Sequence, residues 1–148
     1  MSDRRFPLFV DLAGRRAVVV GGGPVGLRRA KALAEFGAEV TLISPRCGEA
    51  PPPQVRYLPR PYAPGDLEGA FLAVAATGSR EINRQIGEEA RAAGIFVSVA
   101  DSPEESSFYF PALCVEQGLV AGVVSETRDH KKTAAAAQAI RRLLEGSM

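Results

Sequence analysis

The ten residues Ala17-Val18-Val19-Val20-Gly21-Gly22-Gly23-Pro24-Val25-Gly26 limit what this chain can fold into more than any other stretch. Four consecutive apolar residues suit a strand covered on both faces of a parallel sheet. They run directly into G-x-G-x-x-G. An amphipathic segment follows, with Val25, Leu33 and Phe36 apolar, Arg28, Arg29 and Lys31 polar, and Gly37 as its stop. In such a strand–turn–helix unit Gly21 makes the tight turn, Gly23 lets the backbone approach a pyrophosphate, and Gly26 lets helix and strand pack closely. The helix N-terminus offers unpaired N–H groups and partial positive charge to that anion. Pro24 costs little in a first turn whose N–H groups have no helical partner. Without its flanks the motif is only a glycine-rich turn; the strand before it and the helix after it favour dinucleotide binding.

The rest of the chain continues the alternation. A second strand, Ala38–Ile43, ends at Ser44-Pro45-Arg46, and the proline-rich stretch from Gly48 to Pro53 is a loop. A short third strand covers Val55–Leu58, a brief helical turn is expected at Asp66–Glu68, and a fourth strand runs Phe71–Ala76. Ser79 reads as the N-cap of a helix that runs to about Ala93, with Ile82, Ile86 and Ala90 on one face and Gly94 as its stop. Ile95–Val99 is a fifth strand, ending at Ala100-Asp101. The pattern then changes: Phe108–Val115, a turn at Glu116-Gln117-Gly118 and Leu119–Val124 read as an antiparallel hairpin, followed by a helix over about Lys131–Leu144. The fold class is therefore α/β, a Rossmann-type doubly wound parallel sheet followed by a β-hairpin and a C-terminal helix. In 148 residues this fits one domain with an appendage, drawn here as 1–107 and 108–148.

Composition narrows the function classes. Hydrophobic content of 46% supports a real core, and a net charge of +1 with no basic tract argues against nucleic-acid or membrane-surface partners. No segment approaches the roughly 18 apolar residues of a spanning helix, and the N-terminus lacks a leader-like apolar run. One histidine and two distant cysteines, Cys47 and Cys114, leave no metal-ligand spacing. Isolated thiols fit a reducing cytoplasm.

Ligands of doubly wound sheets sit beyond the C-terminal strand ends, which directs attention to Gly21–Pro24, Ser44–Arg46, Ala76–Ser79 and Asp101–Pro103. The second strand does not end in the acidic residue that holds the ribose of NAD in many such sheets. Ser44 stands there, able to bond a ribose hydroxyl, and Arg46 suits either a 2′-phosphate or plain solvation, so NAD and NADP both remain open. Asp101 is the carboxylate at a ligand-side strand end. Partly desolvated beside a ligand it would act as a general base; alone it would cap an Asx turn into Ser102-Pro103-Glu104. His130, with Asp129 as an N-cap, reads as a solvated helix start. The basic residues Arg128, Lys131, Lys132, Arg141 and Arg142 suit an acidic ligand or a solvated helix face.

Further segments carry a family resemblance. Phe6–Arg15, Gly21–Ala30, Val40–Pro45, Ala75-Ala76-Thr77 with Asn83, Val97–Pro103 and Phe108–Ala112 together resemble, in order and spacing, the precorrin-2 dehydrogenase family, the N-terminal modules of siroheme synthases. The resemblance implies NAD-dependent dehydrogenation of a carboxylate-rich tetrapyrrole, precorrin-2, to sirohydrochlorin, with metal chelation as an associated activity. It implies Asp101 as the catalytic residue, and Gly21, Gly22, Gly23, Pro24, Val25, Ser44, Pro45, Arg46 and Thr77 as cofactor contacts. It also implies a homodimer formed through the hairpin and last helix. Three departures stand out. Thr77-Gly78 replaces the family's Thr-Asp, Ser125–Thr133 replaces its Ser-Gly-Gly loop, and the sequence as read ends at Met148, before a helical region that many members carry. The expectation is a substrate pocket left open on that side. An alternative of another class is an NAD(H)-binding sensor, or a partner subunit, without chemistry of its own.

Overall fold

The computed structural model describes residues 4–146, in two compact units. Residues 10–108 form one of them; the other combines the chain up to Phe9 with residues 109 onward. The N-terminal segment thus groups with the hairpin and last helix rather than with the sheet.

In the larger unit, β1 (Arg16–Val20), β2 (Glu39–Ile43), β3 (Arg56–Leu58), β4 (Leu72–Ala75) and β5 (Phe96–Val99) form one sheet, ordered β3-β2-β1-β4-β5 and parallel throughout. Helices α1 (Pro24–Glu35) and α2 (Arg80–Ala92) are the crossovers from β1 to β2 and from β4 to β5. The first crossover leaves β1 and the second leaves β4, in opposite directions along the sheet, so the strand order reverses between β1 and β4. Strands buried on both faces need no polar alternation, which is why Val18, Val19 and Val74 are fully buried in a row-on-row arrangement. Alternate residues serve different layers: Val18, Val20, Ala73, Ala75, Val97 and Val99 pack with Ile86 and Ala90 of α2. Their neighbours point to the α1 face, where the Arg29 guanidinium donates to Ser98 Oγ at 3.3 Å. Burial in that layer lowers the Arg29 pKa from its ordinary value.

Local signals set most boundaries. Gly37, at φ +92°, takes the left-handed conformation that ends α1. Ser79 caps α2 by accepting from the Ile82 N–H at 3.2 Å. The helical turn expected at Asp66–Glu68 is instead a set of successive turns, closed by Ala70 N–H on the Leu67 carbonyl at 3.0 Å, with the Leu67 side chain buried beneath it. Three residues without flanking helix cannot repay nucleation.

The smaller unit holds β6 (Ala112–Glu116) and β7 (Leu119–Val123), paired antiparallel, and α3 (His130–Gly146). Gln117 and Gly118, at φ +52° and +75°, make the two-residue turn between the strands. The hairpin is shorter than expected: Phe108–Phe110 stay outside it, and the ladder begins just after Pro111, which has no N–H to give. Cys114 is buried, its thiol toward the Ala137 carbonyl at 3.3 Å, and Arg141 donates to the Leu113 carbonyl at 2.8 Å, fixing α3 to β6. Asp129 caps α3 through the Lys132 N–H at 3.0 Å, and His130 is exposed.

Candidate dinucleotide-binding site

A cleft of about 640 Å³ opens at the carboxyl ends of β1, β2 and β4. The structure brings together in its wall Gly21, Gly22, Gly23, Ser44, Pro45, Arg46 and Thr77. Pro24 and Val25 open α1 and do not line it.

The glycines divide the work by geometry. Gly21 has φ +123°, and a Cβ there would stand 2.2 Å from the Ala76 carbonyl oxygen. One on Gly26 would stand 2.0 Å from the Gly21 oxygen, so this glycine is what lets α1 rise directly off β1. Gly22 had no role in the motif reading; here a Cβ would meet the Arg46 carbonyl oxygen at 2.3 Å. That close approach joins the β2 loop to the glycine turn, and Gly48 N–H donates to the Gly22 carbonyl at 3.0 Å. Gly23 differs from these three, since nothing lies within 4 Å of its hypothetical Cβ.

Among the described residues, α1 is also the α-helix without a side-chain cap and without an acidic residue in its first turn, whereas Ser79 and Asp129 cap α2 and α3. Its first-turn N–H groups therefore await an acceptor from outside the chain. Open space at Gly23, uncapped donors and a positive dipole end fit a pyrophosphate.

Around this cradle the loops are tied down. Ser44 Oγ donates to the Arg46 carbonyl at 2.7 Å, and Tyr57 Oη donates to the Ser44 carbonyl at 3.0 Å. Ser44 thus organises the β2 loop rather than offering a free hydroxyl to a ribose, as its position in the sequence suggests. Desolvation and the nearby Cys47 thiol raise the Tyr57 pKa above its ordinary value. On the other side, Thr77 is held by Asn83, which is 1% exposed. Thr77 N–H and Oγ1 donate to Asn83 Oδ1 at 3.0 and 2.6 Å, and Asn83 Nδ2 donates to the Thr77 carbonyl at 3.1 Å. Cys47, Tyr62 and Ile82 also line the cleft and carry no motif that would have marked them.

Asp101 follows β5 at the same edge of the sheet. It is neither desolvated nor an Asx cap: its side chain is 42% exposed, and Oδ1 accepts from Arg80 Nη1 at 2.8 Å. Arg80 also reaches Glu105 Oε1 at 2.5 Å, while Ser102 takes the N-cap position of the 3-10 turn Pro103–Glu105. A long arginine one residue into α2 spans that gap, and single-residue reading could not foresee it. Among the described residues no group of three or more His, Cys, Asp and Glu is placed to hold a metal, and no helix is long and apolar enough to cross a membrane.

A parallel sheet in this order, with an uncapped glycine turn at its switch point, defines a Rossmann-type dinucleotide-binding protein. The chain belongs to the NAD(P)-binding family whose model matches residues 8–112. It is 43% identical over 124 residues to a siroheme synthase of Azotobacter vinelandii, covering 80% of this chain and 27% of that protein. It is 39% identical over 145 residues to a multifunctional siroheme biosynthesis protein of Ruminiclostridium josui, covering 94% of this chain and 28% of that one. The chain therefore spans about a quarter of the length of these curated relatives. Among solved structures, SirC, a precorrin-2 dehydrogenase, superposes with a TM-score of 0.72 over 93% of this chain and 70% of its own; at 22% identity this is a likeness of fold.

Proposed function

We propose that this chain oxidises precorrin-2 to sirohydrochlorin with NAD as acceptor, as the dehydrogenase of siroheme formation. The observation that carries the reading is the shared edge: an open, uncapped pyrophosphate cradle and the carboxylate of Asp101 lie at the carboxyl ends of strands in one sheet. Similarity to siroheme synthases supports the substrate class.

Gly21, Gly22 and Gly23 with the first turn of α1 would hold the pyrophosphate, and Pro45, Arg46 and Thr77 would flank the rest. Bound there, the nicotinamide supplies the two-electron acceptor. Dehydrogenation also releases a proton, and Asp101 is the base assigned to it. Arg80 fixes Asp101 Oδ1, while Oδ2 has no partner among the described residues and takes the proton. The protein works in the cytoplasm as a homodimer, without nucleic-acid or membrane partners. Exposed Val115, Leu119, Val120 and Leu143 support the dimer, and the two free cysteines, Cys47 and Cys114, support a reducing compartment.

The test is anaerobic. Pure protein is mixed with enzymatically generated precorrin-2 and NAD⁺, and the visible spectrum is recorded. Sirohydrochlorin absorbance rising in step with NADH is expected. Asp101→Ala should lower turnover at least about 100-fold while NAD⁺ affinity stays within about twofold. A flat spectrum alongside clear NAD⁺ binding overturns the enzyme reading in favour of a binding module; equal loss of turnover and affinity overturns the role of Asp101.

A further inference from the structure

We infer that Glu105 positions Asp101, acting through the Arg80 guanidinium that the two carboxylates share. The inference rests on the dehydrogenase reading above and deepens it, adding a residue that neither the glycine motif nor the lining of the cleft marks.

Arg80 opens α2, and its side chain is about half exposed. An exposed ion pair is weak and leaves a long arginine free to change rotamer. Paired with Asp101 alone, Arg80 would hold that carboxylate loosely. Its other terminal nitrogen is taken as well: Nη1 donates to Asp101 Oδ1 at 2.8 Å and Nη2 to Glu105 Oε1 at 2.5 Å. Two bonds on one planar group fix its plane and its direction. The Asp101 oxygen left to take the proton is thereby aimed by Glu105.

Glu105 is itself built in, and is less exposed than Asp101, 26% against 42%. It ends the turn Pro103–Glu105, with its N–H on the Ser102 carbonyl at 3.1 Å. Its own carbonyl accepts from Arg91, in the last turn of α2. The next residue, Ser106, is buried, and its Oγ accepts from the Val99 N–H at 2.8 Å, tying the turn to the end of β5. Gly87 lets turn, strand and helix come this close, since a Cβ there would meet Val99 Cγ2 at 3.2 Å and Arg91 Nη1 at 3.4 Å. A pair that served stability alone would need none of this anchoring, because exposed ion pairs contribute little.

The experiment measures anaerobic turnover of precorrin-2 with saturating NAD⁺ for Glu105→Ala and Glu105→Gln, in the wild-type and the Asp101→Asn backgrounds, with NAD⁺ affinity alongside. Glu105→Ala should lower kcat about tenfold and leave KM for precorrin-2 and NAD⁺ affinity within about twofold, since a misaimed base costs rate rather than binding. Glu105→Gln keeps the volume and an acceptor oxygen for Arg80, and should recover part of that loss. With Asp101→Asn in place, either change should lower the residual turnover less than about twofold, because Glu105 then has no base to aim. An unchanged kcat, an equal fall in both backgrounds, or a parallel loss of NAD⁺ affinity overturns the inference and leaves the dehydrogenase standing. A wild type that binds NAD⁺ but does not turn over overturns the dehydrogenase reading and this inference with it.

Discussion

Gly21 and Gly23 lie two residues apart in one motif, and the structure gives them opposite duties. Gly21 combines a positive φ with a carbonyl where a side chain would go, so Gly21→Ala strains the backbone and pushes β1 from β4. A cost of about 2–3 kcal/mol is expected, a fall in Tm of roughly 5–10 °C. Gly23 faces open space in an ordinary extended conformation, at φ −82°. Gly23→Ala should leave Tm within about 2 °C and weaken NAD⁺ at least about tenfold, because its methyl fills the pyrophosphate's approach. Thermal melts and cofactor titrations of the two variants check this. A Gly23 variant that unfolds but binds normally when folded would reverse the assignment. The motif spacing made all three glycines and their division of labour legible; what it could not show is which atoms stand opposite Gly21 and Gly26 to enforce it, because those come from other parts of the chain.

Among the elements, the connection from β3 to β4 was the least legible and is held by charge. Asp66 receives both nitrogens of Arg60 and the Ala63 N–H at 2.7 Å. The Arg60 hydrogen bonds foremost, and then the Ala63 N–H, keep its pKa below the ordinary 3.8. A depressed folded-state pKa contributes stability that is complete above the unfolded value and is lost as pH falls through the folded one. Asp66→Asn should therefore lower Tm at neutral pH, and the two melting curves should converge as the pH falls below the ordinary carboxylate range. A gap that persists unchanged into that range would show that Asp66 acts by packing rather than charge. Elsewhere the element ends were readable because their signals are local. Ser79 and Asp129 cap the helices they precede, and Gly37 ends α1. Residues Phe108–Phe110 misled because apolar composition alone mimics a strand, whereas pairing needs a partner with matching register.

At the scale of the molecule, the second unit leaves apolar side chains without cover. Val115 and Val120 face each other across the hairpin, at 54% and 40% exposed, while Cys114 turns inward to α3. Self-association through that face is the expected remedy. Sedimentation should show a dimer for the wild type and at least about tenfold weaker association for Val120→Asp. A wild type that stays monomeric at high micromolar concentration contradicts the dimer.

Periodicity and punctuation determined a great deal on their own. Buried apolar runs, helix caps and the strand–glycine–helix unit dictated a parallel α/β sheet with a dinucleotide turn, because each signal acts within a few residues of chain. Tertiary structure decided the rest. Asn83 is a polar residue in a helix until Thr77 is brought beside it, and Gly22 is a spare glycine until the Arg46 carbonyl closes on it. Asp101 is an isolated carboxylate until Arg80 reaches it from the start of the preceding helix, α2. Contacts between residues distant along the chain follow from how crossovers set strand order, and no local pattern encodes which side chains that order will bring face to face.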